Sequence, residues 1–157
     1  MKIKNFLKLV VSLAVCQLAG AIGALFTVSS VKVWYSTLSL PSLNPPSWVF
    51  GPVWTILYIL MGIALYLIWQ SNSKDRNRVL WLFAVQLVLN AIWSPIFFGT
   101  HAIGLALVII IFMWSAIAMT IFVSQKISKT IAWLLVPYIA WVSFATYLNF
   151  ALWWLNK

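Results

Sequence analysis

The side chains able to do chemistry in this sequence are mostly neutral. Gln86, Asn90, Trp93, Ser94 and Phe97 recur at i, i+4, i+7, i+8 and i+11, which places them on one face of a helix. Trp141, Ala145 and Leu148 repeat at i, i+4 and i+7, and Trp54, Tyr58, Gly62 and Trp69 fall near another common face. Such groups exchange hydrogen bonds and stack on flat rings. Two readings stand for the carboxamides of Gln86 and Asn90: they bond across helices, or they contact a ligand. Two also stand for Trp54, Trp93, Trp114 and Trp141, which lie deep in apolar runs: packing, or a flat aromatic ligand between the rings.

Other chemistries are excluded or weakly supplied. Asp75 is the single acidic residue, so no carboxylate pair exists for acid–base work. His101 and Cys16 are the only good soft or borderline metal ligands, which leaves no metal site built from protein alone. His101 sits in a tight link at the membrane edge, a poor place for a haem ligand. Cys16 has no partner for an intramolecular disulfide. Asp75 is expected to pair with its basic neighbours or to cap the third helix.

The elements that must position these groups follow from composition. Of 157 residues, 64% are hydrophobic and 7% charged, and the mean hydropathy is +1.03. A soluble domain carries roughly 25% charged residues, so this is an all-α integral membrane protein. A net charge of +9 in a soluble chain would suggest nucleic acid; here the charges sit at helix ends, and membrane lipid is the partner they fit.

Five apolar spans of about the length that crosses ~30 Å of hydrocarbon are expected near 9–28, 48–69, 79–98, 102–123 and 131–153, forming one transmembrane domain. No span carries a charge in its middle, which disfavours an intramembrane proton relay. Ala19-Gly20-Ala21 resembles a signal-peptide cleavage site, but the apolar run continues past it. Ala19, Gly20, Gly23 and Ala24 form a small-residue face suited to close packing, against a helix of the same chain or in a dimer seam. Residues 29–47 form a long connection in which Pro41, Pro45 and Pro46 impose an extended or turning path. Pro52 falls in a first helical turn, and Pro137 should kink the fifth span and free a carbonyl near Trp133. Most of the eleven tryptophans, including Trp34, Trp48, Trp69, Trp81, Trp133, Trp153 and Trp154, lie near span ends as an interfacial belt. Lys2, Lys4, Lys8, Lys74, Arg76, Arg78, Lys126 and Lys129 share one side, against Lys32 and Lys157 on the other. That asymmetry puts the N-terminus in the cytoplasm of a multi-pass cell-membrane protein, with the 29–47 connection and the C-terminus outside.

The residues Trp34-Tyr35, the run Leu43-Asn44-Pro45-Pro46-Ser47-Trp48-Val49-Phe50-Gly51-Pro52-Val53-Trp54-Thr55-Ile56-Leu57-Tyr58, and Met61-Gly62 resemble the TspO/MBR family. These are the tryptophan-rich sensory proteins related to the mitochondrial translocator protein, or peripheral benzodiazepine receptor. Gln86, Asn90, Trp93-Ser94 and Phe97-Phe98 match the third helix, and Pro137-Tyr138, Trp141, Phe144-Ala145 and Leu148-Asn149 the fifth. The resemblance implies a five-helix bundle, often a homodimer, with a pocket covered by the 29–47 connection. It implies porphyrin, isoquinoline and benzodiazepine-type ligands, and a pocket of Tyr35, Pro45, Trp54, Tyr58, Asn90, Trp93, Trp141, Ala145 and Leu148. Trp54 and Trp141 match tryptophans associated with light-dependent protoporphyrin breakdown, which makes them the candidate catalytic pair. The sequence departs from the family's sterol motif, because no Lys or Arg follows Tyr147 before Lys157.

The reading is thus a receptor-like membrane protein that binds protoporphyrin IX and similar flat ligands and promotes their photo-oxidative degradation, with no resident cofactor required. The alternatives are a transporter of tetrapyrroles or other amphiphiles, and a stress sensor acting through a partner protein.

Overall fold

The computed structural model describes residues 3–157; Met1 and Lys2, the latter counted above among the basic residues, lie outside the described residues. Five helices follow in order: α1 Ile3–Val31, α2 Phe50–Gln70, α3 Arg76–Ser94, α4 Ile103–Ser124 and α5 Lys129–Leu155. Short 3₁₀ turns at Tyr35–Thr37 and Ser47–Val49 punctuate the first connection. A π turn over Pro95–Gly99 extends α3. All five helices are long and apolar enough to cross a membrane, and no strand occurs among the described residues.

The helices close into a ring. α1 packs on α2 and α3, α4 on α3 and α5, and α2 completes the ring against α5 while also touching α3. Met61, Phe83, Met113, Leu135 and Tyr138 fill the centre. Outward, Leu25, Val88, Phe112 and Phe122 stand exposed. In water that surface would be costly; in hydrocarbon it is the expected exterior, because each helix satisfies its own backbone. The molecule is therefore a five-helix membrane bundle. Trp48, Trp81 and Trp133 project from the bundle near helix ends, where an indole bridges hydrocarbon and headgroups.

Glycines set the closest helix approaches. A Cβ on Gly62 would lie 2.9 Å from the Leu13 Cα of α1, and one on Gly20 would overlap the Tyr58 ring of α2. The small-residue face of α1 is thus used within the chain: Ala19 and Gly23 are buried, while Ala24 is exposed.

Several local expectations are corrected. Residues 29–31 belong to α1, so the first connection starts later than position 29. Asp75 occupies the N-cap position of α3, but its backbone is helical and its side chain makes no capping bond; Ser73 Oγ instead accepts from the Asp75 amide at 3.2 Å. Pro137 lies within the fifth span, as expected, and α5 runs on past it to Leu155. Trp69 parts from Trp54, Tyr58 and Gly62 by lying exposed beneath the Lys8 ammonium, 5.6 Å from its ring.

Candidate functional site

The candidate residues form two clusters, the outer one packed against the first connection. The inner one is a hydrogen-bonded chain linking α2, α3 and α5. The Tyr58 hydroxyl donates to Asn90 Oδ1 at 2.6 Å, Asn90 Nδ2 donates to the Tyr138 oxygen at 3.1 Å, and the Tyr138 hydroxyl donates to Gln86 Oε1 at 2.8 Å. All four residues are buried. The spacing Gln86–Asn90 on α3 presents both carboxamides to one side, and Tyr138 fits between them from α5. The first of the two sequence readings therefore holds for their mutual bonding, with Tyr138 as the bridge. Gln86 Nε2 is left buried without a partner.

Trp54 lies one turn before Tyr58 on α2 and stacks on it at 5.4 Å, with the Tyr138 ring edge-on at 6.3 Å. Trp141 follows Tyr138 by three residues, on the same side of α5. Its ring meets Phe50 at 6.0 Å and Phe144 at 5.7 Å. Its indole N–H is buried and unpartnered, which costs free energy in an apolar interior. Ala145 packs half-buried at the rim of this core.

The outer cluster is aromatic. Trp93 stacks on Phe97 at 5.0 Å, and Trp34 meets Phe97 edge-on at 5.7 Å. Tyr35 lies 5.8 Å from Phe98. Pro95 opens the π turn, and that wider turn brings Phe97 inward to near-complete burial. The indole of Trp93 donates to Asn149 Oδ1 at 3.1 Å, and Asn149 Nδ2 donates to the Ile103 carbonyl at 3.0 Å. Leu148, beside Asn149, is buried. Burial raises the Tyr35 phenol above its ordinary value, partly offset by its hydrogen bond to Asn44; the neutral phenol donates to Asn44 Oδ1 at 2.7 Å. Pro45 follows Asn44, half-buried within the connection.

The connection is tied down at its start and near its middle. The Ser39 amide donates to Asn156 Oδ1 at 2.9 Å, and Asn156 Nδ2 returns a bond to the Ser39 carbonyl at 3.1 Å. His101 adopts φ 59, a conformation that costs a residue with a Cβ roughly 1 kcal/mol, and its ring stacks on Trp34 at 4.1 Å. Ser30 gives its one proton to the Phe98 carbonyl, so His101 Nε2 donates to Ser30 Oγ at 3.3 Å. His101 thus anchors the α3–α4 link to the start of the connection.

Of the nine candidate ligand residues, Trp54, Tyr58 and Asn90 gather around Tyr138, and Trp141 lies three residues further along α5 against Phe50. Tyr35, Trp93 and Leu148 belong to the outer cluster or its border. Side chains fill the centre themselves. Two surface grooves lie elsewhere: one of about 240 Å³ between α1 and α3, around Ala19 and Ala91, and one of about 330 Å³ beside the α4–α5 link. Sequence reasoning missed Tyr138 as the hub, Asn149 as the acceptor for Trp93, and Phe50 as the cover of Trp141. Tyr138 was findable, since it precedes Trp141 and Ala145 by three and seven residues on the same stripe. Trp114 is not part of the site: it is exposed and donates to Ser143 Oγ at 2.8 Å on the outer face.

Known proteins resemble this chain along nearly its whole length. The Tryptophan-rich protein TspO of Chlorobaculum tepidum is 43% identical over 157 residues, covering 98% of each chain. The protein of the same name from Archaeoglobus fulgidus is 43% identical over 97% of this chain and 99% of its own. The Translocator protein of Bos taurus is 39% identical over 90% of this chain and 85% of its own. The TspO/MBR family model matches residues 12–155, which include every residue of both clusters. A five-helix membrane bundle with tryptophans around a tyrosine–carboxamide centre, matched across that extent, belongs to the TspO/MBR family.

Proposed function

We propose that the protein binds a porphyrin between the connection and the Tyr138 centre, and that Trp54 and Trp141 promote its light-dependent oxidation. The observation that carries this reading is two oxidisable indoles packed against one core, Trp54 edge-on to Tyr138 and Trp141 three residues further along α5 with a buried, unpartnered N–H. An unpaired donor in an apolar interior favours a ligand that brings an acceptor, and porphyrin side-chain carboxylates are such acceptors. The photoexcited ring takes one electron from an indole and passes it to dioxygen as superoxide; the indole radical cation then takes an electron from the ground-state ring, and superoxide adds to the resulting porphyrin radical cation. Dioxygen from solution is the terminal oxidant and supplies the oxygen of the product. Admitting so large a ring requires the filled centre to open, either at the Ser39–Asn156 tie or at the Phe50–Trp141 contact.

The test uses purified protein and protoporphyrin IX. Trp54→Phe and Trp141→Phe keep a stacking ring but lose the oxidisable indole. Each is expected to retain porphyrin affinity within about tenfold, ~1.4 kcal/mol, and to lose the light-dependent spectral change. Bleaching by both variants at the parent rate, to the same product, would leave a plain binding protein. The names of the relatives, translocator and sensory protein, supply the second reading, a carrier of amphiphiles; net porphyrin flux into sealed vesicles with unchanged pigment would favour it.

A further inference from the structure

The end of the bundle remote from the candidate site carries Lys4, Lys8, Lys74, Arg76, Arg78, Lys126 and Lys129. At that end a groove of about 330 Å³ separates the last turn of α2 from the α4–α5 link. We propose that this groove seats the headgroup of one anionic phospholipid.

Position, lining and charge each point to that occupant. Gln70 is the last residue of α2 and Lys129 the first of α5, so the groove opens where hydrocarbon gives way to headgroups. Its lining changes character across that level. Gln70, Ser71, Ser128 and Thr130 offer a carboxamide and three hydroxyls, while Leu67 and Ile131 form an apolar floor. A phosphate with its glycerol and first methylenes has the same two-part character; a free phosphate ion has no use for the floor. Lys126 and Lys129 bracket the link residues in sequence, and Lys74 follows Ser71 by three. No carboxylate lines the groove, and Asp75 is the only acidic side chain in the protein. The groove's own lining is neutral and basic residues adjoin it in sequence; beside spans and without acidic competition, that setting favours an anionic headgroup over a zwitterionic one. The groove shares no lining residue with the tryptophan site.

The experiment is native mass spectrometry of the full chain in detergent, titrated with phosphatidylglycerol or with phosphatidylcholine of the same acyl chains. One phosphatidylglycerol should be retained about tenfold more tightly than phosphatidylcholine, the scale set by basic side chains near an anionic surface. Lys126→Gln with Lys129→Gln should weaken its retention by about tenfold. Ser71→Phe, which fills the groove without changing charge, should do the same; Thr130→Phe serves as a second filling variant if Ser71→Phe does not fold. Lys4→Gln with Lys8→Gln removes equal charge from α1, which does not line the groove, and should change retention by less than about twofold. Equal weakening by both lysine pairs would mean diffuse attraction and overturn the proposal, as would a folded groove-filling variant that binds like the parent. Displacement of the lipid by millimolar inorganic phosphate would assign the groove to the free ion instead.

Discussion

The two clusters solve the same problem in different ways. The inner one, Tyr58–Asn90–Tyr138–Gln86, holds three helices by directional bonds in which each member serves the next. The outer one, Trp34, Tyr35, Trp93, Phe97 and Phe98, holds the connection to α3 mainly by ring contact. A hydrogen-bonded chain in hydrocarbon tolerates no missing member, because its neighbours are then stranded without water. Ring contact is graded: one ring can be trimmed and the rest still cover the apolar surface. The inner cluster should therefore be brittle and the outer one forgiving.

Tyr138→Phe should show the largest effect. It strips one hydroxyl and leaves both Asn90 Nδ2 and Gln86 Oε1 without partners, at an expected cost of about 2 kcal/mol. Reversible unfolding in mixed micelles measures it; a loss within experimental scatter of zero would mean that the chain is not a structural unit. Trp93→Phe is the matched change in the outer cluster. The ring stack survives and Asn149 keeps its bond to Ile103, so about 1 kcal/mol or less should be lost by the same measurement. An equal or greater loss than for Tyr138→Phe would erase the proposed distinction. Asn156→Ala should be the smallest in global stability, roughly 0.5 kcal/mol for a tie at the exposed edge, yet it should act locally. Hydrogen exchange at the Ser39 amide should speed up by about tenfold, while amides of α3 keep their protection. Unchanged exchange at Ser39 would show that the tie does not hold the connection.

The inner cluster was half legible in the sequence. Gln86 and Asn90, four apart among apolar residues, announce a shared face because buried carboxamides need partners. Which partner they find is set by helix adjacency, a long-range fact that no local spacing carries. Trp54 and Trp141 were recognisable as deep indoles, but their packing against one core depends on α2 lying beside α5. In the outer cluster Trp93 and Phe97 were legible as one face, but Trp34 and Tyr35 reach it from the irregular first connection, where no period assigns faces. The Ser39–Asn156 tie joins residues 117 apart and leaves no pattern at all. By contrast, the five spans follow from hydropathy alone, since the bilayer imposes one length on every crossing.

The inner chain also has a polarity. Every proton in it points from Tyr58 toward Gln86, and the last amide ends without an acceptor. Turning both carboxamides and both hydroxyls together gives the opposite sense, equally well paired internally, whereas turning one alone sets donor against donor. The four residues thus behave as a single two-way element, legible at either end: a proton donor arriving at the Tyr58 oxygen extends the present sense, and an acceptor arriving there drives the whole row to reverse.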